Sequence, residues 1–302
     1  MTKLRERMLQ DMQLRGLSQR SQGCYLRSVG LLARHFNKPP DQITEEELRQ
    51  YFLYVKNIKK WKRATITISI CGIKFFYTKT LNRQWTTLDI VRPQKEKRLP
   101  VILTRNEIQR ILKHVRFPIY RVCLLTIYSC GLRLGEGATL KVSDIDSQRR
   151  VIHIEQGKGG KDRYVPLPGK TLVELRNWYK THRNPRWIFP AAMRGGGHDN
   201  AFSKSQLPTP ICNVQDAFRE ALRKSGVNKR ASVRTLRHSY ATHLVELGVN
   251  LRLIQPRISR GRPFIAQHHR HLCPLDRDGA ESGQQNHQPL HGWPVNSASA
   301  NA

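Results

Sequence analysis

The chain has 302 residues, of which 38% are hydrophobic, and a formal net charge of +31. The length predicts two domains, the hydrophobic content argues against global disorder, and the absence of a long apolar run excludes a membrane-spanning helix. The positive charge is spread along the chain and indicates a polyanionic partner, of which nucleic acid is the usual example and an anionic membrane surface the alternative.

The N-terminal segment MTKLRERMLQDMQLRG has no apolar core of the kind that a signal peptide needs, so secretion is not expected. The six cysteines contain no CxxC pair and are interpreted as reduced, mostly buried thiols. These two features predict a cytoplasmic protein.

Residues 1–82 are predicted to form a domain of four helices. Ser18 can cap the second helix, and Thr44 with Glu47 forms a capping box at the start of the third. The fourth segment is ambiguous, because its isoleucines alternate as in a strand and also fit helical spacing. The pattern continues beyond ten residues, which favours a helix.

A cluster of cations surrounds Trp61 in the segment NIKKWKR, just before the fourth helix. A solvated charged loop and a contact with DNA phosphates both explain such a cluster. The high charge of the whole chain keeps the second interpretation open, and the candidate DNA-binding residues are Lys59, Lys60, Lys62 and Arg63.

A polar, basic segment bracketed by prolines predicts an interdomain linker at residues 83–103. A second domain, 104–255, opens with a capping box at Thr104 and contains an apolar, buried helix that ends at Gly131. The segment VIHIEQGKGGKDRYVPL predicts a hairpin, and it lacks the GxxxxGK[ST] pattern of a P-loop. The fold class is therefore mainly α (α+β), with a small antiparallel sheet.

Three elements of the second domain carry a basic residue in a distinctive sequence. Arg133 lies in CGLRLGE after the buried helix, Lys158 lies at the tip of the hairpin, and Arg237 lies in the helical segment RTLRHSYATHL. Each residue alone is most simply interpreted as solvated, because short motifs are weak signals. Their order and spacing together are much more specific.

The segments GLRLGE, GKGGKDRYVPL and LRHSYATHL resemble the arginine, lysine and second-arginine boxes of the tyrosine recombinases, the phage integrases and Xer-type enzymes, with integron-type integrases most similar. The resemblance covers nearly all of residues 1–255. It implies a helical core-binding domain and a catalytic domain that clamp duplex DNA between them. It also implies attack of a tyrosine on a backbone phosphate, a 3′-phosphotyrosyl link, and no metal or nucleotide cofactor.

The chemistry that the resemblance implies accounts for the residue types. A pentacoordinate phosphorane gathers negative charge, which guanidinium groups neutralise. By the match, Arg133 and Arg237 hold the non-bridging oxygens, Lys158 protonates the leaving 5′-oxygen, and Glu136 occupies a supporting acidic position. The absence of a clustered Asp/Glu set argues against a two-metal nuclease.

The sequence departs from the family pattern in two places. Arg234 occupies the family's histidine position and cannot act as a general base near neutral pH. After residue 255 the expected ending with the nucleophilic tyrosine is absent, and the last tyrosine of the sequence is Tyr240, which is interpreted as a packing residue. Both departures predict impaired or absent catalysis.

The C-terminal segment 256–302 is interpreted as an aberrant, disordered tail that arose by a frameshift near Gln255. Codons for PFIAQHHRHLCPL, read one nucleotide later, permit HSSPNTTVIYAHL, which has the histidine, threonine pair and tyrosine of the family ending. The histidines of the tail do not form a ligand set at metal-binding spacing, so no metal site is predicted. Family members assemble as homotetramers on DNA by exchanging a C-terminal segment, and such assembly is expected to be impaired here.

The sequence is compatible with three functions. The first is a site-specific recombinase whose present chain is catalytically dead, and the second is a sequence-preferring DNA-binding protein that never cleaves. The third, a generic basic DNA-packaging protein, explains the charge but not the three motifs.

Overall fold

The computed structural model describes residues 3–85, 99–157, 161–192 and 202–249. The chain divides into two compact units, Met1–Arg98 and Leu99–Ala302. The described residues are mainly helical and contain one small antiparallel sheet, so the predicted fold class is confirmed. Within these ranges, no helix has the length and apolar content needed to cross a membrane.

The helices of the first unit are α1 (Lys3–Leu14), α2 (Gln19–Phe36), α3 (Glu45–Asn57) and α4 (Arg63–Phe75), and α4 continues into a π-helical turn, Phe76–Thr80. The ambiguous fourth segment is therefore helical. The predicted caps are present: the Ser18 side chain accepts from the Ser21 N–H, and Thr44 and Glu47 form a reciprocal capping box.

The core of the first unit depends on a close approach of α2 and α4. A β-carbon added to Gly72 would lie 2.9 Å from the α-carbon of Tyr25, so the two backbones touch there. The hydroxyl of Tyr77 donates to the carbonyl of Pro40 at 2.6 Å and fixes the segment before α3. The largest fully buried side chains of this unit are Met8, Met12, Leu32, Ile43, Leu48, Ile73, Phe76 and Tyr77.

In its described residues, the second unit contains one 3₁₀ turn (Val142–Asp144), six α-helices and three strands. They are α5 (Arg105–Lys113), α6 (Pro118–Ser129), α7 (Leu134–Ala138), β1 (Ile145–Asp146), β2 (Val151–Gly157), β3 (Lys161–Pro166), α8 (Gly169–His182), α9 (Ile211–Lys224) and α10 (Val233–Glu246). The predicted hairpin is the antiparallel pair β2–β3, and β1 pairs with the other edge of β2.

Helix α6 is the centre of the second unit. It contacts α5, α7, α8, α9 and α10, which explains why its sequence is apolar nearly all round. Leu124, Ile127 and Tyr128 on this helix have no exposed surface. Helices α7 and α10, which carry two of the three basic motifs, are therefore held against one buried helix.

The ends of the predicted linker pack within the two units. The Trp85 ring lies 4.0 Å from the Tyr77 ring between centroids. Leu103, the last residue of the predicted linker, is fully buried in the second unit, and its N–H donates to the Ser239 hydroxyl at 2.9 Å. The intervening residues 86–98 and the predicted tail, 256–302, lie outside the described residues, and the four domain limits stay a prediction.

Candidate active site

Arg133 is placed by the turn that ends α6. Gly131 has a φ of +60°, which glycine adopts without the steric cost of a side chain. The N–H of Leu132 donates to the carbonyl of Ile127, and the N–H of Gly131 to that of Tyr128, which is the pattern of a Schellman motif. The chain then reverses, and Arg133 becomes the N-cap residue of α7.

Glu136 binds Arg133 at two points. Its Oε2 accepts from the Arg133 backbone N–H at 2.8 Å, and its Oε1 accepts from Arg133 Nη1 at 2.7 Å. A third donor comes from the hairpin, because Arg163 Nη2 on β3 lies 2.5 Å from Oε2. The side chain of Glu136 is only 12% exposed, so water screens these contacts little.

Arg237 approaches the same place from α10. Its Nη1 donates to the carbonyl of Gly131 at 2.5 Å and lies 3.9 Å from Glu136 Oε2. Helix α10 is held in this position by two buried contacts, from Ser239 to the N–H of Leu103 and from His243 Nδ1 to the Tyr128 hydroxyl at 2.8 Å. The structure therefore brings the side chains of Arg133, Glu136 and Arg237 together.

The electrostatics of this cluster favour an anion. Burial alone would raise the pKa of the Glu136 carboxyl, but hydrogen bonds from Arg163 and Arg133 outweigh it and hold that pKa at about 2. Burial, followed by the charges of Arg133 and Arg163, lowers the pKa of Arg237, and Glu136 offsets part of this effect. Three guanidinium groups against one carboxylate leave a formal charge of about +2, which favours the binding of an anion such as a phosphate.

Arg234 and His238 flank Arg237 on α10. Arg234, the residue at the family's histidine position, is exposed, whereas His238 one turn later is partly buried. Partial burial and the charges of Arg234 and Arg237 lower the pKa of His238. The imidazole is therefore mostly neutral at neutral pH and can donate one hydrogen bond and accept another.

Tyr240 is a packing residue, as its place in the motif predicts. Its ring is partly buried against the core of the second unit and covers Gly131. A β-carbon on Gly131 would lie 2.4 Å from Tyr240 Cδ1, which leaves no room for a side chain between the two.

Lys158 and the segment from residue 250 onward lie outside the described residues, so their predicted roles stay predictions. The cationic cluster Lys59, Lys60, Lys62 and Arg63, here called the basic turn, belongs to the first unit and is exposed. Trp61 within it is partly buried against the core and makes an edge contact with Tyr51.

Arg163 is a member of the cluster that the motifs alone do not single out. It lies inside the segment GKGGKDRYVPL, but its partner Glu136 is 27 residues earlier in the chain. The alternation of side chains along β3 could have identified Arg163 from the sequence, because Arg163 and Val165 lie on the same, inward face of the strand. An arginine on a buried face requires an acidic partner.

Two family models match the chain. The Phage integrase family matches residues 102–259, and the Phage integrase N-terminal SAM-like domain matches residues 4–87. The protein y4qK of Sinorhizobium fredii, named as an integrase/recombinase, is 41% identical over 260 residues, which are 84% of this chain and 80% of that protein. The tyrosine recombinase XerA of Pyrococcus furiosus is 30% identical over 210 residues, 68% of each chain.

The chain therefore belongs to the phage integrase family, the tyrosine recombinases that act in DNA recombination and integration. Its fold is that of lambda integrase. A lambda integrase tetramer bound to a Holliday junction matches with a TM-score of 0.66 and 18% identity, over 93% of this chain and 78% of that one. The resemblance to this family stated from the motifs is confirmed.

Proposed function

We propose that this chain binds duplex DNA as a tyrosine recombinase does and holds a backbone phosphate between Arg133 and Arg237, but does not cleave the strand. The observation that carries the proposal is the convergence of these arginines from α7 and α10 on one carboxylate and one carbonyl. Their side chains remain 42% and 28% exposed, so an incoming phosphate can reach them. Arginine forks match the geometry of phosphate oxygens and stay charged at any working pH.

The site accounts for part of the family's chemistry. Two fixed guanidinium groups would stabilise the charge that develops on the non-bridging oxygens during attack on phosphorus. Lys158, in the turn between β2 and β3, would protonate the leaving oxygen. Arg234 supplies a cation where the family has a histidine and cannot accept a proton, so this step is impaired in our proposal.

The missing group is the nucleophile. Tyr240 is the last tyrosine of the sequence, and its ring packs on Gly131 and the core. We infer that no tyrosine of this chain serves for attack, and that a frameshift near Gln255 replaced the original ending. Sequencing the gene from codon 250 past the stop tests the frameshift. A shifted frame that encodes the threonine pair and tyrosine supports it, and any other sequence rejects it and leaves a native DNA-binding protein as the function.

The basic turn is the proposed DNA contact of the first unit. Trp61 packs inward and its backbone N–H donates to the carbonyl of Val55, which fixes the turn, while the neighbouring lysines are exposed. Lys62 is the N-cap of α4, and Arg63 is the first residue of that helix. Cations at a helix N-terminus are repelled by the positive end of the helix dipole. A bound phosphate would be attracted both to these cations and to the helix N-terminus, and would offset that repulsion.

Assembly and location follow from the same proposal. If the tail lacks the exchanged segment of the family, the chain should bind DNA without forming stable tetramers in the cytoplasm. Chemical crosslinking on duplex DNA tests this expectation, and recovery of stable tetramers would reject it.

The DNA-binding proposal is tested by competition. Duplexes enriched from a random pool by the full chain should outcompete unselected duplexes at physiological salt, because a purely electrostatic binder shows little preference and loses affinity steeply with salt. Arg133→Ala should weaken binding only modestly, since most phosphate contacts lie elsewhere. Equal competition by any duplex would favour the packaging function, and complete loss of binding in Arg133→Ala would contradict the role given to that arginine.

A further inference from the structure

We propose that Arg163 is a positioning residue that keeps Glu136, which already binds Arg133, from also occupying the phosphate-binding face of Arg237. The inference rests on the proposed function of those two arginines. It assigns a task to a side chain that belongs to the hairpin rather than to either arginine motif.

The contact between Arg163 and Glu136 is more enclosed than the other ion pairs that Glu136 makes among the described residues. The two side chains are 11% and 12% exposed, whereas Arg133 is 42% exposed. Arg163 Nη2 lies 2.5 Å from Oε2, the same oxygen that accepts the Arg133 N–H. A shielded, charge-assisted bond of this kind restricts a carboxylate more than an exposed one does.

This restriction matters because a carboxylate and a phosphate compete for the same donors. Glu136 Oε2 is 3.9 Å from Arg237 Nη1, so a small rotation would join Glu136 to Arg237. With Arg163 present, Oε2 is already occupied, and Glu136 holds the Arg133 guanidinium through Oε1 alone. Without the Arg163 charge, Oε2 keeps only the hydrogen bond from the Arg133 N–H and can turn towards Arg237. The formal charge of the cluster then falls from about +2 to about +1.

The β2–β3 hairpin also holds the backbone of Arg163 in a fixed position. Arg163 pairs with Ile154 in the regular part of the β2–β3 ladder, and the register shifts between Ile154 and Gly157, towards the turn. Ile154 is buried in the core of the second unit. Arg163 therefore ties the regular part of the hairpin to α7, next to the turn that contains Lys158.

The test uses the full chain and inorganic sulfate, a tetrahedral dianion whose charge does not change near neutral pH. Binding is followed by the Nε–Hε NMR signals of Arg133 and Arg237, so sulfate bound elsewhere does not count. In the wild-type chain both signals should shift, and Arg133→Met should abolish the response at Arg237. In Arg163→Met the apparent dissociation constant at these signals should rise by about tenfold, equivalent to about 1.4 kcal/mol.

A second substitution separates positioning from a structural role. Glu136→Gln in the Arg163→Met chain removes the competing charge and should restore most of the sulfate affinity, whereas structural damage would not be repaired. Arg163→Lys, which keeps the charge but not the fork, should fall between wild type and Arg163→Met and covers the case in which Arg163→Met fails to fold.

The outcomes are distinguishable. Absence of a sulfate response at Arg133 and Arg237 in the wild-type chain would reject the proposed phosphate site itself. A normal wild-type response with wild-type affinity in Arg163→Met, or no recovery with Glu136→Gln, would reject the positioning role alone.

Discussion

The ring of Tyr240 lies directly over the α-carbon of Gly131, so that a β-carbon there would stand 2.4 Å from Cδ1 of the ring. The same glycine has a φ of +60°, and its carbonyl oxygen accepts a hydrogen bond from the Arg237 side chain. One residue therefore ends α6, admits the aromatic ring and anchors one of the two site arginines. Both the end of α6 and the position of Arg237 therefore depend on the absence of a side chain at Gly131.

Gly131→Ala is expected to destabilise the protein by roughly 2–4 kcal/mol, because it combines the cost of a left-handed backbone with a clash against a packed ring. Gly226→Ala is the matched control, since Gly226 has a φ of +68° and nothing within 4 Å of an added β-carbon. It should cost only the backbone strain, about 1–2 kcal/mol. Urea denaturation measures the free energy of unfolding of both variants. An equal decrease in the two variants would show that the ring of Tyr240 moves aside at no energetic cost.

The crossing of α2 and α4 gives a second pair of glycine variants. Gly72→Ala places a methyl group 2.9 Å from the Tyr25 α-carbon and should destabilise the first unit by about 1–3 kcal/mol. Gly23→Ala, in α2 with open space around it, should instead stabilise by about 0.5–1 kcal/mol through helix propensity. The melting temperatures of the two variants should shift in opposite directions from that of wild type. A Gly72→Ala variant with an unchanged melting temperature would contradict the close backbone contact.

The stability of the second unit should depend on pH through two buried histidines. Burial lowers the pKa of His182 to about 4 and also lowers the pKa of His243. At pH values above about 6.5, the pKa of an unfolded histidine, both histidines are neutral in the folded and the unfolded protein, so the free energy of unfolding does not change with pH through them. Below about pH 6.5 the unfolded state takes up protons on these histidines while the folded state does not, because their folded pKa is lower. The free energy of unfolding should therefore fall between pH 6.5 and 4, by about 3 kcal/mol from His182 alone.

His182→Gln isolates that contribution. Its free energy of unfolding should fall less steeply than that of wild type between pH 6.5 and 4, with the two slopes converging above that range. Parallel slopes throughout would show that His182 is not held neutral by the fold.

The basic turn should contribute to the salt dependence of DNA binding. Replacing Lys59, Lys60 and Lys62 by glutamine should reduce the slope of log affinity against log salt by about one unit for each DNA phosphate that the turn no longer neutralises. Lys79→Gln is the control, because this exposed lysine lies in the π-helical extension at the other end of α4, about 25 Å away along the helix axis. An unchanged slope in the triple variant would mean that the turn is merely solvated.

Local signals in the sequence predicted most of the fold. The capping boxes at Thr44 and Thr104 and the glycine at 131 mark helix boundaries through contacts with near neighbours, so they can be identified without a tertiary structure. The role of Arg163 could not be predicted in this way, because it depends on a carboxylate 27 residues away and on which face of β3 is buried. The overlap of Tyr240 with Gly131 likewise exists only in the folded chain.

The most direct test of the central claim, that this chain holds DNA without cleaving it, is a search for a covalent complex. Duplexes enriched by the full chain would be rebuilt with a nick next to each candidate phosphate, which traps any cleaved strand, and then resolved on a denaturing gel. We predict binding before denaturation and no protein-linked DNA afterwards, in wild type and in Tyr240→Phe alike. A protein–DNA adduct that survives denaturation, above all one that disappears in Tyr240→Phe, would contradict the account.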